Sequence, residues 1–471
     1  MIVTMTSNHF DLVVIGGGPS GYAAALTAVA ADRSVALIER DRLGGTCLHR
    51  GCIPAKELLE TATVHRTVSQ AGEFGIITTA PTVDFSATQD RKQAVVDRLF
   101  KGVTNLVGSK DIDLFPGTGR IGNDRKVTVQ LEDGTEQVLS GDFIVLAAGS
   151  QAKNLPDFEI DGTTILSSDE VLKMATLPKS AAIIGGGAIG CEFASMLTDL
   201  GTEITILETE ERLIPGADAD IAKALERSFK KRGIKSITGV TAHGHTPQPG
   251  GTVVHLNNGT DIEVEKVIVS VGRRPYTDHL ELSKTSIELD EDGFVKVDEF
   301  CRTNVDRVYA VGDLIATPQL AHVGFAEAML VVSDIVGEQR PPINYSRVPW
   351  AIYCHPEIAY AGLTEQEAEE AGYEVAIAQH RFVGNARALI HNETEGMVKL
   401  VAERRSDGTA GKLLGVHLIG SWATEQLGQG YLAVNWGVDI DEIADFIQPH
   451  PTLSELFGEA VLELAGRTLH G

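Results

Sequence analysis

Short apolar runs closed by glycine turns recur along this chain, separated by stretches with helical spacing. Residues 11–15 (DLVVI) are apolar after Asp11, as in a strand covered on both faces. They lead into the turn GGGPSG, a helical stretch AAALTAVAA and a second apolar run, SVALIE, that ends on Glu39. The same succession returns as AAIIGGGAIG, CEFASMLTDLG and EITILE, ending on Glu208. Gly16 and Gly185 differ by 169 positions, and so do Glu39 and Glu208. Downstream, each copy has a hairpin pattern and a strand ending in glycine: KVTVQL-EDG-TEQVL then FIVLAAG to Gly149, and TVVHL-NNG-TDIEV then VIVSVG to Gly272. These glycines are only 123 apart, so the first copy is 46 residues longer, and helices within residues 50–110 account for most of the excess. Residues 346–471 form another block, with strands around EVAIAQHRF, GMVKLVAER and KLLGVHLIG followed by helices.

A lone GxGxxG means little in a chain with 49 glycines. Set between strand and helix, with an acid about 23 residues on, it predicts a dinucleotide site. The turn lets bare backbone approach a pyrophosphate at a helix N-terminus. Gly16, Gly18 and Gly21 with Glu39 form the first such set, and Gly185, Gly187 and Gly190 with Glu208 the second. The acids are placed to accept ribose hydroxyls, and Glu208, followed by Glu210 and Glu211, favours NAD over a 2′-phosphorylated nucleotide. The fold class expected is α/β: two Rossmann-like dinucleotide-binding domains and a C-terminal α+β domain.

The longer copy contains GGTCLHRGCIPAK, residues 44–56, with Cys47 and Cys52 five apart. In a regular helix that spacing separates Cα atoms by roughly 8–9 Å, and a disulfide needs less than about 7 Å. The pair bridges only if the backbone breaks between them, and Gly51 and Pro54 supply means for that. A following helix N-terminus, and His49 and Arg50 if turned inward, would favour thiolate. Two unrelated buried thiols or half a zinc site are the alternatives, but no partner pair stands nearby at ligand spacing.

Acidic residues outnumber basic ones by 65 to 40, a net charge of −25 that argues against a nucleic-acid partner. No apolar run is long enough to span a membrane, the first ten residues read as neither signal nor transit segment, and five cysteines suit a reducing cytoplasm. His243-Gly-His245 lies beside a Pro-Gly loop without a third ligand and is read as solvent-exposed; no metal site is expected.

Taken together, the motifs resemble the pyridine nucleotide–disulfide oxidoreductases, over nearly the whole chain. GGTCLHRGCIPAK is similar to that family's redox-disulfide turn, residues 303–313 (TNVDRVYAVGD) to its second flavin motif, AHVGFAEA to the flavin-flanking segment, and residues 448–455 (QPHPTLSE) to its C-terminal active-site motif. The resemblance implies FAD in the first unit, held by Gly16, Gly18, Gly21, Glu39, Lys56, Gly149, Asp313, Ala321 and His322. It implies NAD in the second, at Gly185, Gly187, Gly190, Glu192, Glu208 and Gly272. It makes Cys47 the interchange thiol and Cys52 the flavin-facing one, pairs Lys56 with Glu192, and casts His450 as general base oriented by Glu455. A capping box, Thr452-Leu-Ser-Glu455, is the competing account of Glu455. The resemblance further implies a homodimer acting on a lipoyl-bearing acyltransferase or other lipoyl protein, in the branch that oxidises dihydrolipoamide. Other disulfide or mercuric reductases, a transhydrogenase with idle thiols, and a nucleotide-binding scaffold are the rivals. Expected domains are 1–150 for FAD with the disulfide helix inserted, 151–274 for NAD, 275–345 completing the FAD domain, and 346–471 as the interface. His49 and Arg50 replace the usual asparagine and valine, Ala55 a common serine, and Val323 a frequent lysine.

Overall fold

The computed structural model describes residues 8–470; the first seven residues, on which the leader reading largely rests, lie outside that range. The chain groups into two compact units. The first comprises the described residues up to Glu57, Ser86–Lys153 and Gly272–Tyr345; the second comprises Leu58–Phe85, Asn154–Val271 and the described residues from Ser346 onward.

In the first unit the apolar runs form a parallel sheet, in the order Ile112–Ile121, Val35–Glu39, His9–Ile15, Glu136–Leu146, Val308–Ala310. The outer halves of Ile112–Ile121 and Glu136–Leu146 bend away and pair antiparallel with Lys126–Leu131. The central strands are apolar on both faces because helices Pro19–Ala30 and Ala321–Ile335 and the antiparallel layer cover them. Val13, Val14, Leu37, Ile38, Phe115, Val145 and Leu146 are fully buried, each contributing about 1.5–3 kcal/mol by leaving water.

The second unit repeats the plan. Lys235–Ile237, Glu203–Leu207, Ser180–Ile184, Lys266–Val269 and Ile165–Leu166 are parallel in that order, beside an antiparallel trio, Ala242–Gln248, Gly251–Leu256 and Asp261–Val264. His245 is not solvent-exposed, as the sequence reading had it: it is half-buried, stacked on Phe158, with Nδ1 2.9 Å from Thr252 Oγ1. Among the described residues no group of acids, histidines and cysteines could hold a metal ion.

This unit also holds a five-stranded antiparallel sheet, Trp350–Ile352, Glu357–Gly362, Ala410–Gly420, Met397–Arg404 and Val375–Arg381. Helices Ala423–Trp436 and Glu455–Leu464 cover it. The first two strands escaped the sequence reading: one has three residues, and both flank His355-Pro356, which reads as a break.

Lys399, on one of these strands, is only 1% exposed. Its Nζ donates to Asp218 (3.0 Å), Asp220 (2.8 Å) and Glu365 (2.6 Å), and Asp218 in turn caps helix Ala219–Lys231. Burial raises the Asp218 carboxyl, and Lys399, helped by His417 and the Asp220 N–H, reverses it and leaves it below its usual range. Burial lowers the Lys399 ammonium, and its three acids carry it above its ordinary value. The depressed acid stabilises the fold above the unfolded carboxylate value and loses this as pH falls. The raised base stabilises it below the unfolded lysine value and loses this as pH rises. The window of full stabilisation therefore lies between about pH 4 and 10. Lys399→Met strands the buried Asp218 carboxylate and is expected to cost about 3 kcal/mol in urea unfolding at pH 7, the loss shrinking on acidification.

Candidate active site

The two glycine turns owe their shape to steric exclusion. Gly16 has φ +112°, and a Cβ there would stand 2.2 Å from the Ala147 carbonyl oxygen; at Gly21 it would stand 1.7 Å from the Gly16 oxygen. Gly185, at φ +108°, and Gly190 repeat this at 2.5 Å from Ser270 O and 1.9 Å from Gly185 O. The middle glycines differ. A Cβ on Gly18 meets nothing nearer than 3.9 Å, and on Gly187 nothing within 4 Å. Their bareness leaves space at the N-termini of Pro19–Ala30 and Ala188–Asp199. That space, with no acid in either first turn, fits a pyrophosphate.

Glu39 and Glu208 are matched as well. Glu39 accepts from Gly17 N (2.7 Å) and Asp41 N (2.8 Å); Glu208 accepts from Gly186 N (2.6 Å) and Glu210 N (2.9 Å). Both carboxylates bolt their turn to a strand end; Glu208 Oε1 also accepts from Thr209 Oγ1 at 3.1 Å, so its Oε2, like both oxygens of Glu39, is left with a lone pair for a ribose hydroxyl.

Between the cysteines the backbone breaks. Helix Gly45–Arg50 ends at Gly51 (φ −148°, ψ −106°), and helix Cys52–Ser69 begins at once, with Pro54 in the first turn, where no N–H is missed. Cys47 and Cys52 are free thiols, both partly buried. The hydrogen bond with Cys52 and then burial push the Cys47 thiol well up, while Lys56 pulls it down and Asp313 pushes it up. Lys56, partly buried on the helix, is the cation acting on this thiol. His49 and Arg50 do not turn inward: His49 Nε2 lies 2.8 Å from Leu43 O and Arg50 pairs with Asp41.

Asp313 stands at the end of a short strand, after Gly312 at φ +70°. Ser150 donates to it (2.5 Å), Arg273 lies 3.8 Å away, and Arg273 also donates to Ser150 Oγ at 2.7 Å. Gly149 (φ +72°) and Gly272 (φ +98°) immediately precede Ser150 and Arg273, so both glycine-ended strands lead to Asp313. Gly272 groups with the first unit, apart from the other glycines assigned to NAD. Ala321 and His322 open helix Ala321–Ile335, with His322 exposed.

Sequence reasoning missed Glu327, a fully buried acid accepting from Gly312 N (2.6 Å), Thr317 (2.7 Å) and Tyr345 (3.1 Å). Burial raises its carboxyl. An acid in the midst of the mostly apolar stretch 323–332 was its signal.

In the second unit Glu192 is buried and accepts from Tyr353 N at 2.9 Å. His450 is largely exposed; its Nδ1 lies 2.8 Å from Glu455 Oε1, and Glu455 Oε2 accepts from Thr452 N at 2.7 Å. Only half of the expected capping box forms. Thr452 Oγ1 donates to Pro449 O, and the helix starts at Glu455 with Ser454 at its cap.

A family model described as pyridine nucleotide-disulphide oxidoreductase matches residues 10–328, and that family's dimerisation domain matches residues 348–461. The chain belongs to the pyridine nucleotide-disulphide oxidoreductase family. Enzymes of this family use FAD and NAD, and so does this member. It is 39% identical to a dihydrolipoyl dehydrogenase of Bacillus subtilis over 98% of this chain and all of that one. It is 34% identical to the mitochondrial dihydrolipoyl dehydrogenase of Pisum sativum, covering 98% and 93%. Among solved structures, LpdA from Mycobacterium tuberculosis superposes with a TM-score of 0.89 at 25% identity, covering 96% and 99%. The HOCl-induced flavoprotein disulfide reductase RclA from Escherichia coli gives 0.85 at 26%, covering 97% and 99%.

Proposed function

We propose that this chain is a dihydrolipoyl dehydrogenase, oxidising the dihydrolipoyl groups of a lipoyl-bearing acyltransferase or other lipoyl protein and reducing NAD. The observation that carries the reading is the hydrogen-bonded Cys47–Cys52 pair at a helix start, under the charge of Lys56 and beside Asp313. In the oxidised enzyme these sulfurs form a disulfide. The substrate dithiol attacks Cys47, closes to its own cyclic disulfide and leaves two electrons on the cysteines. When bound, FAD relays that electron pair between the dithiol and the nicotinamide. The products are oxidised lipoyl group, NADH and a proton.

Gly16, Gly18, Gly21 and Glu39 take the pyrophosphate and ribose of FAD. Asp313, held by Ser150 and Glu327's turn, takes its ribityl chain, with Lys56, Gly149, Ala321 and His322 lining the ring. Gly185, Gly187, Gly190 and Glu208 take NAD, with Glu192 and Gly272 beside it. His450, oriented by Glu455, removes the substrate thiol's proton, since only thiolate attacks a disulfide.

The domains run 1–150 and 275–345 for FAD, 151–274 for NAD and 346–471 for the interface. A homodimer is supported by the dimerisation-domain match and by the exposure of the large apolar side chains Trp422, Trp436, Phe446 and Ile447 on that block. Among the described residues no helix is long and apolar enough to cross a membrane, in keeping with a cytoplasmic enzyme.

The test is a substrate panel: dihydrolipoamide against reduced glutathione, each with NAD and NADP. The expected result is turnover with dihydrolipoamide and NAD, at least about a hundredfold above the other pairings. Preference for glutathione, or for NADP, overturns the assignment.

A further inference from the structure

We propose that His49 and Arg50 are positioning residues that clamp the dithiol turn to the nucleotide-binding turn and thereby set the thiol–disulfide equilibrium of Cys47 and Cys52. This rests on reading those cysteines as the redox pair.

Both side chains lie between the two cysteines and reach back to the three-residue stretch 41–43. Arg50 pairs with Asp41, and the neutral His49 ring donates from Nε2 to Leu43 O at 2.8 Å. Burial lowers the His49 imidazole, which keeps it the neutral donor at pH 7. Its ring meets Phe100 edge-on at 5.4 Å, and Arg42 lies over the same ring at 4.1 Å. The receiving stretch is itself fixed to the glycine turn. Asp41 N donates to Glu39, Glu39 accepts from Gly17 N, and Gly44 N donates to Gly17 O at 2.8 Å. Across Gly51 there is little slack, since a Cβ there would stand 3.2 Å from Thr46 O.

The clamp acts by geometry. The charges acting on Cys47 are those of Cys52, Lys56 and Asp313, whereas Arg50 is neutralised by Asp41. Closing the disulfide removes two electrons and two protons from the thiols, and its equilibrium constant rises with the effective concentration of one sulfur at the other. A turn pinned at two of its four intervening residues keeps that concentration high, so releasing it favours the dithiol.

The test uses the FAD-loaded enzyme equilibrated in dithiothreitol redox buffers, with Cys47 and Cys52 read by alkylation and mass. Exposed ion pairs are individually weak, so Arg50→Val alone is expected to move the equilibrium about threefold toward dithiol. His49→Ala with Arg50→Val should move it about tenfold, about 30 mV for a two-electron couple. Asp41→Asn should match Arg50→Val, the two together should go no further than either, and Arg50→Lys should restore most of the effect. Asp41→Asn carries the test if Arg50→Val does not fold. An unchanged potential, additive effects, or a shifted thiolate titration at constant potential overturns the clamp. A wild-type enzyme that never forms a Cys47–Cys52 disulfide overturns the proposed function instead.

Discussion

Cys47→Ser is expected to abolish dihydrolipoamide oxidation, by at least about 10³ in kcat, while the purified protein stays yellow and its visible band still bleaches with NADH. The separation follows from where the residue sits. Cys47 belongs to helix Gly45–Arg50, outside both glycine turns, and no hydrogen bond of Glu39, Asp313 or Glu327 runs through it. A serine hydroxyl preserves its size and can still donate to Cys52, so the turn survives and only the sulfur chemistry is lost. Cys52→Ser should be equally inactive, since neither sulfur can close a disulfide alone. Dihydrolipoamide turnover within tenfold of wild type in either variant would make the thiols idle and give the transhydrogenase reading the better claim. Loss of the yellow colour would instead show that the turn holds the flavin domain together.

Both nucleotide units were legible in the sequence because their signal is steric. Gly21 and Gly190 cannot be anything else when a Cβ would stand under 2 Å from a carbonyl oxygen, so the spacing survives whatever else drifts. The break between the cysteines was legible for the same kind of reason, in Gly51 and Pro54. What could not be read was anything whose partner lies far along the chain. Ser150 meets Asp313 across 163 residues and Arg273 across 40, and Glu327 looks like a stray charge until Gly312 and Tyr345 are folded around it. Local chemistry also misled. His49 and Arg50 look like cations aimed at the thiols, yet each finds a nearer partner in the segment before the turn. The Thr452–Glu455 capping pattern is real only in its return half, because Thr452's hydroxyl prefers Pro449. Lys399 hid in an apolar strand because its three acids come from residues 218, 220 and 365.

The return half of that cap occupies only Oε2 of Glu455 and leaves Oε1 for His450, and the second large effect is expected there. With Glu455 bonded to Nδ1, the tautomer leaves Nε2 as the proton acceptor. His450→Gln should lower kcat for dihydrolipoamide oxidation by about 10²–10⁴, with little change in flavin content. Glu455→Gln keeps the bond to Thr452 N within reach but loses the carboxylate that steadies an imidazolium, and should fall between that variant and wild type. We propose, as the resemblance to the family implies, that His450 serves the dithiol of the opposite subunit, which makes a mixing experiment decisive. Coexpressed Cys47→Ser and His450→Gln chains form hybrid dimers. If the base acts across the interface, each hybrid holds one intact site and one doubly damaged site, and the mixture recovers roughly a quarter of wild-type activity from random pairing. If the base acts within its own subunit, every site in every hybrid carries a lesion, and the mixture is no more active than its parents. Recovery therefore depends only on which subunit supplies the histidine, a point that neither single variant can address.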